Sequence, residues 1–263
     1  YLFLCQCVLT KSDMHLRALY LHNFRTYEEA LYEFGPKINV ITGSNARGKT
    51  SILEAIYFLM TGRSFRTSQI NDMIRHGASS FYIEASFIKH GIEQTIKVSC
   101  SSKERRIVYN HTQCTSFASL LGLLQGAVIH PDDASVVKGA PESRRHLLDV
   151  QIAQADPLYI HHFTRYNRAM KQRNYLLRAK TAVTIESWEH EMAHSAAYIV
   201  HQRIVAVEDL KEKGQRLHSF ICGGNDILEL DYKTQSIPKG MSAADIDISQ
   251  LKAYYLAQYG KLR

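Results

Sequence analysis

The chain has 263 residues, 45% of them hydrophobic and 22% charged, enough for a packed core in one large or two small globular domains. Its net charge of +7 and pI near 9.1 favour an anionic partner such as nucleic acid or an acidic membrane surface, the plain alternative being ordinary solubility charge. Five cysteines, Cys5, Cys7, Cys100, Cys114 and Cys222, are odd in number and lack the paired spacing of a zinc site or a small disulfide scaffold, so a reducing cytoplasm fits best.

The opening YLFLCQCVL is apolar but too short to span a bilayer, and no positive charge precedes it as a secretory signal would require. Met14 stands just before the first well-patterned strand, so residues 1–13 are expected to be extraneous and no membrane association is expected. LRALYLHNF reads as a strand, and a second short strand is expected over residues 30–34. Gly35 and Pro36 turn the chain into residues 38–42, which read as a buried strand. Residues 51–60, SILEAIYFLM, read as an apolar helix with Leu53, Ile56, Tyr57 and Met60 at helical spacing.

Between that strand and helix lies GSNARGKT: Gly43, Ser44, Asn45, Ala46, Arg47, Gly48, Lys49 and Thr50. It matches the P-loop pattern in the strand–loop–helix context that the pattern requires. Glycines at 43 and 48 permit backbone angles that turn successive N–H groups towards phosphates, and the helix N-terminus adds partial positive charge. Lys49 is placed to neutralise the terminal phosphates of ATP, and the Thr50 hydroxyl to ligate Mg²⁺.

Downstream, TGRSFRTSQINDMIRHG (residues 61–77) resembles the RecF family of DNA replication and repair proteins. So do LHNFRTY (21–27), the extended loop GSNARGKTSILEAIY, HPDDASVVKGAPESRRHLLD (130–149) and YNRAMKQRNYLL (166–177), and the likeness runs from Met14 to the C-terminus, densest up to Leu177. The resemblance implies an α/β P-loop NTPase of the ABC/SMC-head type with an inserted helical lobe. It further implies ATP-dependent homodimerisation, weak DNA-dependent ATPase activity, and binding to single-stranded, gapped or junction DNA. Recombination mediators such as RecR and RecO, recombinase loading, the SOS response and a cytoplasmic location come with it.

On that basis residues 14–125 form the ATPase subdomain, 126–217 a mostly helical lobe, and 218–263 a return to the ATPase sheet. His130 stands where the family usually has an aromatic, and Ala46 where a loop glycine is common. No Ser-Gly-Gln signature segment or apolar strand ending in paired acids is legible. AVIHPDD (127–133) is spoiled by Pro131, which cannot donate to a central ladder, and ILELDY (227–232), fed by a turn at Gly223-Gly224-Asn225, reads as a half-exposed strand with Glu229 outward. The chain is therefore expected to stop short of both motifs, and to bind ATP with little turnover.

Residues 144–217 are nearly free of glycine and proline and read as long helices. Within them residues 161–180 carry Arg165, Arg168, Lys171, Arg173, Arg178 and Lys180 with no acidic residue, a candidate DNA-phosphate stripe with Tyr166 or Tyr175 interleaved, or else a solvated face. Smaller basic patches at Arg144-Arg145 and at Lys103, Arg105 and Arg106 read as surface decoration. SIPKGMSAAD (236–245) reads as a linker.

Two enzyme alternatives compete. His190, Glu191 and His194 form an HExxH string, the pattern of a zinc metallohydrolase in which two histidines one helical turn apart hold Zn²⁺ and the glutamate acts as base. Trp188, Met192, Ala196 and Ile199 share the opposite helix face, which places both histidines towards solvent rather than on a cleft floor. A generic P-loop kinase is the second alternative, without a legible lid or acceptor site.

Overall fold

The computed structural model describes residues 2–5, 14–129, 133–180, 184–224, 226–234 and 247–261. They fall into two units, Tyr1–Ala134 and Ser135–Arg263.

In the first unit, six antiparallel strands lie in the order β3-β2-β5-β6-β7-β8. These are β2 (His15–Phe24), β3 (Tyr27–Glu33), β5 (Ser80–Lys89), β6 (Ile92–Ser101), β7 (Arg105–Tyr109) and β8 (Thr112–Cys114). Period-two alternation sets the inward face: Phe81, Ile83, Ala85 and Phe87 of β5 are buried, while Tyr82 and Glu84 point the other way, Glu84 pairing with Lys97 on β6 at 3.0 Å.

Helix α1 (Lys49–Thr61) packs on the inward face, where Phe58 meets Phe81 edge to face and Phe81 meets Phe24 in the same way. Each such ring, wholly buried, contributes about 1.5–3 kcal/mol. The helix is buried almost all round, with Ser51 to Ala55 and Phe58 to Thr61 inside, rather than along the one stripe that its spacing suggests.

The strand before the P-loop differs from expectation. β4 (Ile38–Ile41) pairs with β1 (Leu2–Cys5) in a separate two-stranded sheet, so residues placed among the extraneous opening supply its partner. Ile38 is 68% and Val40 51% exposed, while Ile41 is half-buried against the core, so β4 is not the buried strand its apolar run implies.

The second unit is helical: α2 (Ala134–Lys138, straddling the division), α3 (Pro141–Ala155), α4 (Pro157–Arg178), α5 (Ile185–Cys222) and α6 (Ile248–Lys261). Asp156 ends α3 and caps α4, accepting from the Leu158 N–H at 2.9 Å with Pro157 in the first helical turn. Packing of α3, α4 and α5 is keyed by Arg203, whose Nε and Nη2 donate to Asp149 at 2.8 and 2.9 Å, while the Tyr159 hydroxyl donates to the same carboxylate at 2.6 Å.

The expected return to the ATPase sheet is absent among the described residues. Residues 226–234 form no strand and run along α5, with Leu228 N–H donating to Gln215 at 2.7 Å, and α6 packs on α5 through Leu251. Gly214 opens the space that the Leu228 side chain fills, which holds ILELDY to a helix rather than to a sheet edge. The linker at 236–245, Asn225, and His130 with Pro131 and Asp132 lie outside the described residues. No described helix is long and apolar enough to cross a membrane.

Candidate functional site

The eight residues from Gly43 to Thr50 run from an open loop after β4 into the first turn of α1, exposed at every position but Gly48 and Lys49, which are half-buried. Gly48 caps α1 with φ +89° and no side-chain cap; its carbonyl accepts from the Ser51 and Ile52 N–H groups at 2.8 and 3.3 Å, and the Lys49 and Thr50 N–H groups begin the helix at the loop. Lys49 folds back, its Nζ donating to the carbonyls of Gly43 and Ser44 at 2.7 and 2.8 Å. The ammonium group is thus held in the mouth of the loop. Ala46 sits at φ +62°, in the left-handed region that favours glycine, which gives a physical reason for the glycine common there.

A pocket of about 590 Å³ opens over this loop, a size suited to a small-molecule cofactor. Asn45, Ala46, Gly48, Lys49, Thr50 and Ser51 make its floor, and Arg25, Thr26, Arg66, Asp72 and Ile74 its wall. Sequence reading misses the wall because it comes from two distant segments. One is the tight β2–β3 turn, which leans on Gly48 so closely that a Cβ there would lie 2.8 Å from Thr26 and Tyr27. The other is the stretch after α1, including a short 3-10 turn at Ile70–Met73, tied to the β2–β3 turn by Arg25 N–H to Met73 carbonyl and Arg75 N–H to Asn23 carbonyl, both 2.8 Å.

Behind the wall stands Glu54, fully buried on α1. It accepts from Arg25 Nε and Nη2 at 2.9 and 2.5 Å, from Arg66 Nη1 at 3.2 Å and from the Ser64 hydroxyl at 2.5 Å. The motifs LHNFRTY, SILEAIY and TGRSFRT, separate in sequence, thus meet at one carboxylate.

A model of the AAA domain family matches residues 18–254. The DNA replication and repair protein RecF of Protochlamydia amoebophila is 48% identical over 250 residues, covering 95% of this chain and 68% of that protein. The chain belongs to the RecF family. The RecF of Chlamydia caviae is 34% identical over 239 residues, covering 91% of this chain and 65% of its own length, so the chain spans about two thirds of these relatives. Among solved structures, the recombination mediator protein RecF-ATP in the RecFOR pathway superposes with TM-score 0.83 at 26% identity, over 95% of this chain and 68% of that one. The corresponding RecF-ATPrS structure gives 0.84 at 25%, over 95% and 67%. The fold is that of these RecF structures, an α/β P-loop fold with a helical unit.

The basic stripe of α4 is only partly open. Arg173 is buried, donating to Glu189 at 3.0 Å and to the Tyr259 carbonyl at 3.2 Å, and cannot reach a phosphate from there. Its place in the DNA-binding set is corrected: a run without acids in α4 finds its acids on α5. Arg165 grips Glu191 through Nε and Nη2, and Arg168 lies over the Trp188 ring at 5.7 Å from its centroid with its side chain still exposed. Lys171, Tyr175, Arg178 and Lys180 are exposed.

The same contacts bear on the zinc alternative. Glu191 is locked to Arg165, whose hydrogen bonds hold its carboxyl below the ordinary range, and a base already ion-paired is poorly placed to take a proton from a metal-bound water. His190 and His194 are exposed, with Met192, Ala196 and Ile199 buried opposite them, and among the described residues no three His, Cys, Asp or Glu side chains gather as a metal would need.

Proposed function

We propose that this chain is the nucleotide-binding and DNA-binding part of a RecF-type DNA replication and repair protein, cytoplasmic and acting with DNA and with partners such as RecR and RecO. The observation that carries the reading is the open P-loop with Lys49 in its mouth beneath a pocket walled by Arg25 and Arg66. The residues fit Mg-ATP: a solvent-open cradle at an uncapped helix N-terminus, an ammonium group, and the exposed Thr50 hydroxyl in the floor. The backbone of residues 43–50 would surround the phosphates, Lys49 would exchange its two carbonyl partners for phosphate oxygens, and Thr50 would offer its hydroxyl to Mg²⁺. The metal supplies charge neutralisation across the terminal phosphates.

DNA contact is assigned to the outward face of α4 and the residues just after it, through Arg168, Lys171 and Arg178 with Tyr175 among them on the helix and Lys180 beyond its end. The support is their exposure and the absence of acidic residues along that helix. Such a stripe gives salt-dependent binding with little sequence preference. ATP-dependent pairing of two copies and a role in the SOS response follow from family membership and stand as proposals.

Calorimetric titration with Mg-ATP tests the nucleotide assignment. The parent chain should bind and Lys49→Ala should bind roughly tenfold or more weakly, the scale of one hydrogen bond to a charged group. Equal heats from both chains would refute it.

A further inference from the structure

Glu54 is a charged residue of α1 and is fully buried. Burying a carboxylate costs several kcal/mol unless it is matched by charge and hydrogen bonds, so its four contacts demand an account. A structural staple would need one arginine. Here there are two, and both line the pocket over the P-loop.

Their roles differ. Arg25 gives Nε and Nη2 to Glu54 and Nη1 to the Asp72 carbonyl at 2.5 Å, which occupies its fork, and its side chain is 17% exposed. Its backbone sits at φ +53°, a costly conformation for a non-glycine residue and one kept where surrounding contacts over-determine it. Arg66 is 44% exposed, lines the pocket and donates to Glu54 through Nη1 alone. Ser64 bonds the same carboxylate and also accepts from the Arg66 and Thr67 N–H groups at 2.9 and 3.2 Å, which fixes the backbone carrying Arg66.

The geometry points to Glu54 as a positioning residue of the phosphate site: through Arg25 as a brace it aims Arg66 at the anion held by the P-loop. The cationic wall is assembled before ligand arrives, so a triphosphate meets it without reordering a flexible arginine. Loss of Glu54 leaves both guanidinium groups in the protein but frees Arg66 from its aim. This inference rests on nucleotide binding at the P-loop.

The test is a double-mutant cycle on the 263-residue chain, with a fluorescent ATP analogue and Mg²⁺ as the probe. Glu54→Gln and Arg66→Ala should each weaken binding about fivefold or more, and the double variant should be no weaker than the worse single variant within about twofold. Arg25→Lys, which keeps the charge and loses the fork, should also weaken binding. Glu54→Gln that folds and binds within about twofold of the parent, or losses that multiply in the double variant, overturns the inference, because a purely structural carboxylate shifts melting without this coupling. Should Glu54→Gln not melt cooperatively, Arg66→Ala and Arg25→Lys decide: parental affinity in both overturns it. Absence of Lys49-dependent binding in the parent overturns the nucleotide assignment itself, a different result from parental binding that ignores Glu54.

Discussion

Alanine at each of the two loop glycines should separate backbone strain from crowding at the P-loop. Gly43 has φ +145°, and a Cβ there would meet nothing within 4 Å, so Gly43→Ala carries only the backbone cost, about 1–3 kcal/mol. Gly48, at φ +89°, adds a clash: its Cβ would lie 2.8 Å from Thr26 Oγ1 and from both Cζ and the hydroxyl of Tyr27. All three are side-chain atoms, so relief comes from turning Thr26 and swinging the Tyr27 ring, which its edge contact with Tyr32 resists. Overpacking of that kind adds about 1–3 kcal/mol, making Gly48→Ala the costlier change by about that amount. Ala46→Gly should act oppositely, releasing about 1 kcal/mol or more of left-handed strain against a small gain in unfolded-state entropy. Urea unfolding followed by far-ultraviolet dichroism is the assay, since the one tryptophan, Trp188, lies in the other unit. Equal losses for Gly43→Ala and Gly48→Ala would refute the close approach of the β2–β3 turn to the loop.

Charge reversal at Arg168 and Lys171 together should flatten the salt dependence of DNA binding while leaving folding intact, whereas Arg173→Ala should cost about 3–5 kcal/mol by stripping the buried Glu189 of its guanidinium. Filter binding across a salt series, paired with tryptophan-detected unfolding, distinguishes the two. His162 is buried, stacked on Tyr198 at 4.2 Å and edge-on to His194, and burial first, then His194, His161 and Arg165, pushes its pKa down against a small opposing pull from Asp156. The unfolded chain therefore binds more protons on the acid side of about pH 6.5, so the stability of the helical unit should fall as pH drops through that point, and His162→Phe should remove part of the fall. Metal analysis of the purified chain should find no stoichiometric zinc, and a tight equivalent lost on His194→Ala would contradict the pairing of Glu191 with Arg165.

Much of the nucleotide site is legible in sequence because it is local. Gly43 to Thr50 is a contiguous string whose spacing dictates its chemistry, and the helix behind it is announced by apolar residues from Ile52 to Met60. The wall of the pocket is illegible for the opposite reason: Arg25, Glu54 and Arg66 come from three segments, and nothing in their spacing says that they meet. The exposed β4 departs from expectation because a short apolar run implies burial without saying what covers it. ILELDY departs because its alternation suits a sheet edge, while the space over Gly214 on α5 offers its leucines another place to pack.

The residues that break local rules are informative about where the chemistry lies. Arg25 and Ala46 hold left-handed angles without being glycine, and Glu54 is a fully buried charge on α1; all three touch the pocket or brace its wall. A sequence selected for stability alone would relax each of them, with glycine at 46 and an apolar residue at 54. The helical unit also carries such residues, Lys180 at φ +51° just after α4 and Thr184 at φ +66° at the start of α5, and neither lines the pocket. Asn23, His90, Asn110, Lys180 and Thr184 hold positive φ outside the pocket lining, so left-handed backbone alone does not mark the site; what sets the pocket apart is a buried carboxylate bonded to two arginines of its wall, an arrangement better explained by a ligand that profits from preset cations than by packing alone.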